Sequence, residues 1–175
     1  NRLAAVLTLA FDALKGYVPV MLALVYGPAW GLGEVAVSFV GLAAFVGHLW
    51  PVFFGFKGGK GVATAAGVLL ALNPWLGLAT LLTWVIIAAF FRYSSLASIV
   101  AALFAPFYQL LIWGVSPALL AVCAMSLLLL WRHRFTTDTY GWEVPAGRID
   151  PGETPIEAGA REAFEETGWQ PGPLT

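Results

Sequence analysis

The sequence predicts an all-α polytopic membrane protein with about six transmembrane helices, followed by a short C-terminal segment of different character. Three observations carry this. Of the 175 residues, 59% are hydrophobic and only 11% charged, and the mean hydropathy is strongly positive, a membrane-protein composition. The apolar runs are long enough to be counted as spans, since a helix crossing the hydrocarbon needs about 20 apolar residues. The few basic residues fall on alternate connections between those runs, as the positive-inside rule requires.

The net charge of -1 conceals a division. Asn1 to Arg134 carries seven Lys or Arg against two acids, whereas Phe135 to Thr175 carries two Arg against eight acids. The chain is therefore read as two unlike parts, 1–134 and 135–175. The single cysteine, Cys123, lies in an apolar run and reads as a packing residue, which excludes a disulfide framework or a cysteine metal site. No cleavable signal peptide is visible, and the chain opens on Asn1 and Arg2 rather than Met, as a chain continuing from something upstream would.

The spans follow in order as Leu3 to Tyr26, Leu32 to Phe53, Val62 to Leu72, Pro74 to Phe91, Leu96 to Trp113 and Pro117 to Trp131. The third is short and belongs partly inside the protein. Six passes put Arg2, Lys57, Lys60, Arg92, Arg132 and Arg134 all on one side, while the opposite connections around Gly27 to Gly31, Asn73 and Gly114 to Ser116 carry no Lys or Arg. An error of one pass would scatter those charges over both faces. The basic side is cytoplasmic by this reading, with the 57–64 loop and the C-terminus on it.

Ionisable groups at membrane depth are expensive and mark candidate sites. Asp12 and Lys15 stand three apart in FDALKG and share a helix face, either as a buried polar pair that neutralises itself or as a substrate contact. His48 ends the second span before Trp50 and Pro51, as a hydrogen-bonded structural group or a substrate contact. The Trp residues at 30, 50, 75, 113 and 131 lie near span ends as interfacial anchors.

The connection between spans two and three is unlike the rest: FKGGKGVAT sets Lys57, Gly58, Gly59, Lys60, Gly61 and Thr64 immediately around the start of a short helix. Such glycines permit backbone N–H groups to converge as an anion nest. Two lysines add charge, the helix N-terminus adds its dipole, and the Thr64 hydroxyl adds a donor. The set suits a phosphate monoester at the membrane surface. It is not a nucleotide-binding P-loop, because Lys60 is followed by glycine instead of Ser or Thr. The bland alternative is a glycine hinge with two snorkelling lysines.

At this point the residues resemble a known family. GHLWPVFFGFKGGKGVAT at 47–64 is similar to the signature of the bacterial integral-membrane acyl-phosphate:glycerol-3-phosphate acyltransferases, and FDALKG (11–16), YSSLASIVAALFAPFY (93–108) and LLLLWRHR (127–134) fall in the family's order. The resemblance implies transfer of an acyl group from acyl phosphate to glycerol 3-phosphate, giving lysophosphatidate for phospholipid synthesis in the bacterial cytoplasmic (inner) membrane. It implies that the glycine–lysine loop holds glycerol 3-phosphate, that Ser94 and Ser95 beside Arg92 are available hydroxyls, and that His133 serves as a catalytic base or a hydrogen-bonding support. Arg132 and Arg134 read as interfacial anchors. No cofactor and no nucleic acid partner is expected for this activity; the partners are acyl phosphate, glycerol 3-phosphate and the bilayer. The family further expects one more helix and a serine-rich motif upstream, and Asn-Ile where Thr136 and Thr137 stand, so the chain as it stands is expected to turn over slowly.

The C-terminal part carries a second resemblance. GRIDPGETPIEAGAREAFEETGW at 147–169 fits the Nudix box at Gly147, Glu153, Arg161, Glu162, Glu165, Glu166 and Gly168. Glu162, Glu165 and Glu166 on adjoining helix faces suit magnesium or manganese, with Arg161 orienting them. The family uses such a metal to help water attack a diphosphate. The segment is too short for a whole α/β Nudix domain and is read as a fragment. Two alternatives to the acyltransferase therefore stand: a metal-dependent diphosphate hydrolase, and an inactive chimeric membrane protein.

Overall fold

The structure, a computed structural model, describes residues 2–56 and 58–140. They form six helices: α1 (Arg2–Tyr26), α2 (Glu34–Leu49), α3 (Val62–Leu72), α4 (Pro74–Phe91), α5 (Ser94–Trp113) and α6 (Pro117–Tyr140), with 3-10 turns at Gly27–Trp30 and Val52–Phe54. No strand occurs among the described residues. The chain divides into two units, Asn1–His133 and Arg134–Thr175. The α/β Nudix-type fragment expected at 135–175, including its box, lies almost wholly outside the described residues.

Local chemistry sets the helix ends. Pro51 lacks an N–H and disfavours helical backbone at Trp50, so α2 stops at Leu49, short of the Phe53 expected from the apolar run. Asn73 ends α3 and starts α4: its Oδ1 accepts from the N–H of Trp75 at 2.9 Å and of Leu76 at 3.4 Å, with Pro74 at the first helical position. In α6 the apolar run ends at Trp131, yet no glycine or proline follows before Tyr140, and the helix continues to that residue.

Three helices, α1, α4 and α5, are long and apolar enough to cross a membrane, whereas α2 and α3 are apolar but shorter. At 1.5 Å per residue α3 rises only about 16 Å. It is accordingly the interior helix: Ala65, Val68, Leu69 and Ala71 are buried. The outward surface is greasy, with Phe90 84% and Trp30 78% exposed, as expected of side chains facing lipid instead of water.

Helices in lipid gain little from hydrophobic contrast and rely on close packing and polar pairs. Between α1 and α3 the approach is close enough that a Cβ on Gly16 would strike the Thr64 backbone, and one on Gly67 the Ala13 backbone. Between α4 and α5 the Thr83 and Tyr108 hydroxyls share a hydrogen bond of 2.8 Å, and Trp84 Nε1 donates to Ser98 Oγ at 3.0 Å. These contacts hold α1 against α3 and α4 against α5, and the N-terminus of α3 meets the glycine–lysine loop.

Candidate functional site

The loop after α2 turns back on that helix. Gly58 packs so tightly against the carbonyls of His48 and Leu49 that no side chain fits there, and a Cβ on Gly59 would lie 2.7 Å from His48 Nε2. Gly61 takes φ +83° and forms the N-cap of α3 with no side-chain cap, a left-handed conformation that glycine adopts without strain. The first intrahelical donor is the Ala65 N–H, bonded to the Gly61 carbonyl at 2.8 Å, so the amides before it have no intrahelical acceptor, and those of the half-buried Val62 and Ala63 remain for an outside one. Lys60 is exposed beside them. Amides without an intrahelical acceptor, a helix N-terminus and an ammonium group make an anion site.

Two groups of side chains flank this loop. On one flank Lys15 Nζ lies 2.6 Å from Asp12 Oδ1, and His48 Nδ1 lies 3.8 Å from the same oxygen. Asp12 is thus shared between a lysine and a largely buried imidazole whose other nitrogen abuts Gly59. On the other flank Arg132 Nη2 donates to the Gly58 carbonyl at 3.0 Å, the Trp50 and Trp131 rings meet at 5.9 Å, and Lys60 is close enough to His133 to act on it electrostatically. The Asp12–Lys15 pair expected from the sequence is present and faces the loop through His48, but it is not the buried pair expected: Asp12 is half-buried and Lys15 is exposed.

Other residues stand differently from the sequence expectation. Thr64 is fully buried, and its hydroxyl donates to the Asp12 carbonyl at 2.9 Å; that donor joins α3 to α1 instead of facing the loop's anion site. His133 is 3% exposed. Ser94 and Ser95 are exposed at the start of α5, and no hydrogen bond joins their hydroxyls to the loop among the described residues. Lys57 and the Nudix-box residues Arg161, Glu162, Glu165 and Glu166 lie outside the described residues. A groove of about 660 Å³ lies far from the loop, lined by Val35, Phe39 and Leu42 near the start of α2 and by Val115, Leu120 and Ala124 at the start of α6. It is almost wholly apolar and carries none of the anion-binding groups. Arg132 was missed as a site residue because its partner is 74 positions away.

A model of the glycerol-3-phosphate acyltransferase family matches residues 1–139. The chain belongs to the glycerol-3-phosphate acyltransferase family. Within it, the glycerol-3-phosphate acyltransferase of Janthinobacterium sp. (strain Marseille) is 61% identical over 133 residues, covering 76% of this chain and 66% of that protein. The Herminiimonas arsenicoxydans relative is 59% identical over 133 residues, 76% of this chain and 65% of the relative. The chain thus spans slightly less than two thirds of the length of these acyltransferases. The crystal structure of PlsY (YgiH), an integral membrane glycerol 3-phosphate acyltransferase in its glycerol 3-phosphate form, superposes with a TM-score of 0.71 at 38% identity, over 81% of this chain and 70% of that one. Its lysophosphatidic acid form also gives 0.71, at 37% identity over 83% and 74%. A Nudix domain model matches residues 115–175, in accord with the resemblance at 147–169. The acyltransferase match and the integral-membrane neighbours make this a bacterial membrane protein.

Proposed function

We propose that this chain binds glycerol 3-phosphate in the glycine–lysine loop and transfers to it an acyl group from acyl phosphate, forming lysophosphatidate. One observation carries the reading: the uncapped N-terminus of α3 at Gly61, with Lys60 beside it, is an anion site in a chain similar to an acyltransferase solved with glycerol 3-phosphate. In the reaction the 1-hydroxyl oxygen of glycerol 3-phosphate attacks the acyl carbonyl. The bond from that carbon to the phosphate oxygen breaks, and inorganic phosphate leaves, taking up the proton that the hydroxyl gives up. The leaving group is already a good one, so positioning and charge stabilisation supply most of what the protein must add. Lys57, Lys60 and the loop amides hold phosphate, while the burial of His133 favours support of the site over direct proton transfer.

The setting is the cytoplasmic membrane of a bacterium, with six passes and the 57–64 loop on the cytoplasmic face. Residues 1–134 form the acyltransferase part. The Nudix-box match favours a second reading for 135–175, a magnesium- or manganese-dependent diphosphate fragment in which Glu162, Glu165 and Glu166 hold the metal and Arg161 orients them. The two readings separate in one paired assay on detergent-solubilised protein. Lysophosphatidate formed from acyl phosphate and lost in Lys60→Ala supports the first. Magnesium-dependent cleavage of ADP-ribose that ignores Lys60→Ala, with no lysophosphatidate, would replace it by the second.

A further inference from the structure

Arg132 reads in the sequence as an interfacial anchor, a role any long cationic side chain can fill. In the structure it does something more specific. Its Nη2 donates to the Gly58 carbonyl at 3.0 Å, and its guanidinium carbon lies 6.0 Å from the centre of the Trp50 ring. Trp50 in turn rests against Trp131, the residue before Arg132. The guanidinium is thereby placed by α6 and by the end of α2 together.

The Gly58 carbonyl and the Gly59 N–H belong to one peptide unit. No cis peptide occurs among the described residues, and in a planar trans unit the C=O and N–H point in opposite directions. A donor that fixes the carbonyl therefore fixes the amide. Rotation of the unit is opposed from behind as well, because Gly58 packs on the carbonyls of His48 and Leu49 and Gly59 on the His48 ring. Among the described residues the Gly59 N–H has no hydrogen-bond acceptor, and it stands next to Lys60 and one turn before the uncapped amides of α3.

We propose that Arg132 is a positioning residue of the phosphate site: by holding the Gly58 carbonyl it directs the Gly59 N–H to the phosphate of glycerol 3-phosphate, without touching that phosphate itself. This rests on the proposed function of the loop. It requires guanidinium chemistry, since a flat fork can lie near the Trp50 face and still donate to a carbonyl, whereas an ammonium is a compact and strongly hydrated charge.

The test is equilibrium binding of isotope-labelled glycerol 3-phosphate to the full chain in detergent, with melting temperature measured in parallel. Loss of one oriented charge-assisted donor corresponds to about tenfold weaker binding, expected for Arg132→Lys and at least as large for Arg132→Gly. Millimolar guanidinium chloride should restore much of the binding to Arg132→Gly, and sodium chloride at the same ionic strength should not. Wild-type affinity in Arg132→Lys would reduce Arg132 to an anchor and overturn the inference. So would a loss in Arg132→Gly that follows a lowered melting temperature and resists guanidinium. If Lys60→Ala weakens binding while the Arg132 variants do not, this inference alone fails; if the wild type binds no glycerol 3-phosphate, the loop reading fails with it.

Discussion

The hydroxyl of Thr64 donates to the backbone carbonyl of Asp12 at 2.9 Å, joining the first turn of α3 to α1 across 52 positions of sequence. It lies behind the loop, in the α1–α3 contact. Thr64→Val keeps the shape and removes the donor, at a cost of about 1 kcal/mol. The expected result is a lower melting temperature with an unchanged KM for glycerol 3-phosphate. A raised KM at unchanged stability would return Thr64 to the phosphate.

The same interface depends on glycine. A Cβ at position 67 would collide with the Ala13 carbonyl, which belongs to helix backbone and cannot turn aside as a side chain can. Gly67→Ala should therefore cost about 1–3 kcal/mol, the range for overpacking a well-fitted contact, while Gly47→Ala, where nothing among the described residues lies near the added carbon, should be close to neutral. Thermal unfolding in one detergent compares them, and equal melting temperatures would refute the packing described for α1 and α3.

Gly59 and His48 should be coupled. Among the described residues, the obstruction to a Cβ at Gly59 is the His48 ring, with Nε2 at 2.7 Å. Gly59→Ala is expected to weaken glycerol 3-phosphate binding by displacing either the ring or the loop, and adding His48→Ala should recover part of that loss beyond what His48→Ala does alone. Strict additivity in the double-mutant cycle would mean that the two residues act separately.

Orientation is open to direct measurement. With Cys123 replaced by alanine, single cysteines at Gly31 and Thr137 should label oppositely from outside intact cells, Gly31 accessible and Thr137 protected. Equal labelling would remove the six-pass arrangement and the cytoplasmic placement of the loop.

Much of this was legible because membrane helices announce themselves by length, and because breakers mark their ends. Val62, Asn73 and Pro74 place α3 and α4 at the residues expected, and the glycine–lysine loop identifies itself by composition. Two kinds of information were not legible. Helix ends governed by backbone sterics instead of hydropathy were displaced: Pro51 stops α2 early, and α6 outlasts its apolar run. Contacts between distant residues leave no period in a single sequence, so Thr64 looked like a ligand donor and Arg132 like an anchor until α1, α3 and α6 were brought together.

The central claim is that the glycine–lysine loop holds the phosphate of glycerol 3-phosphate, and Lys60→Ala tests it most directly. A charge-assisted contact to phosphate is worth about 1.5–3 kcal/mol, so the affinity for labelled glycerol 3-phosphate should fall roughly tenfold or more. Lys60 is exposed and makes no structural contact among the described residues that its loss would break, so the melting temperature should hold. Unchanged affinity in a folded Lys60→Ala protein would contradict the account and leave the loop a glycine hinge with two snorkelling lysines.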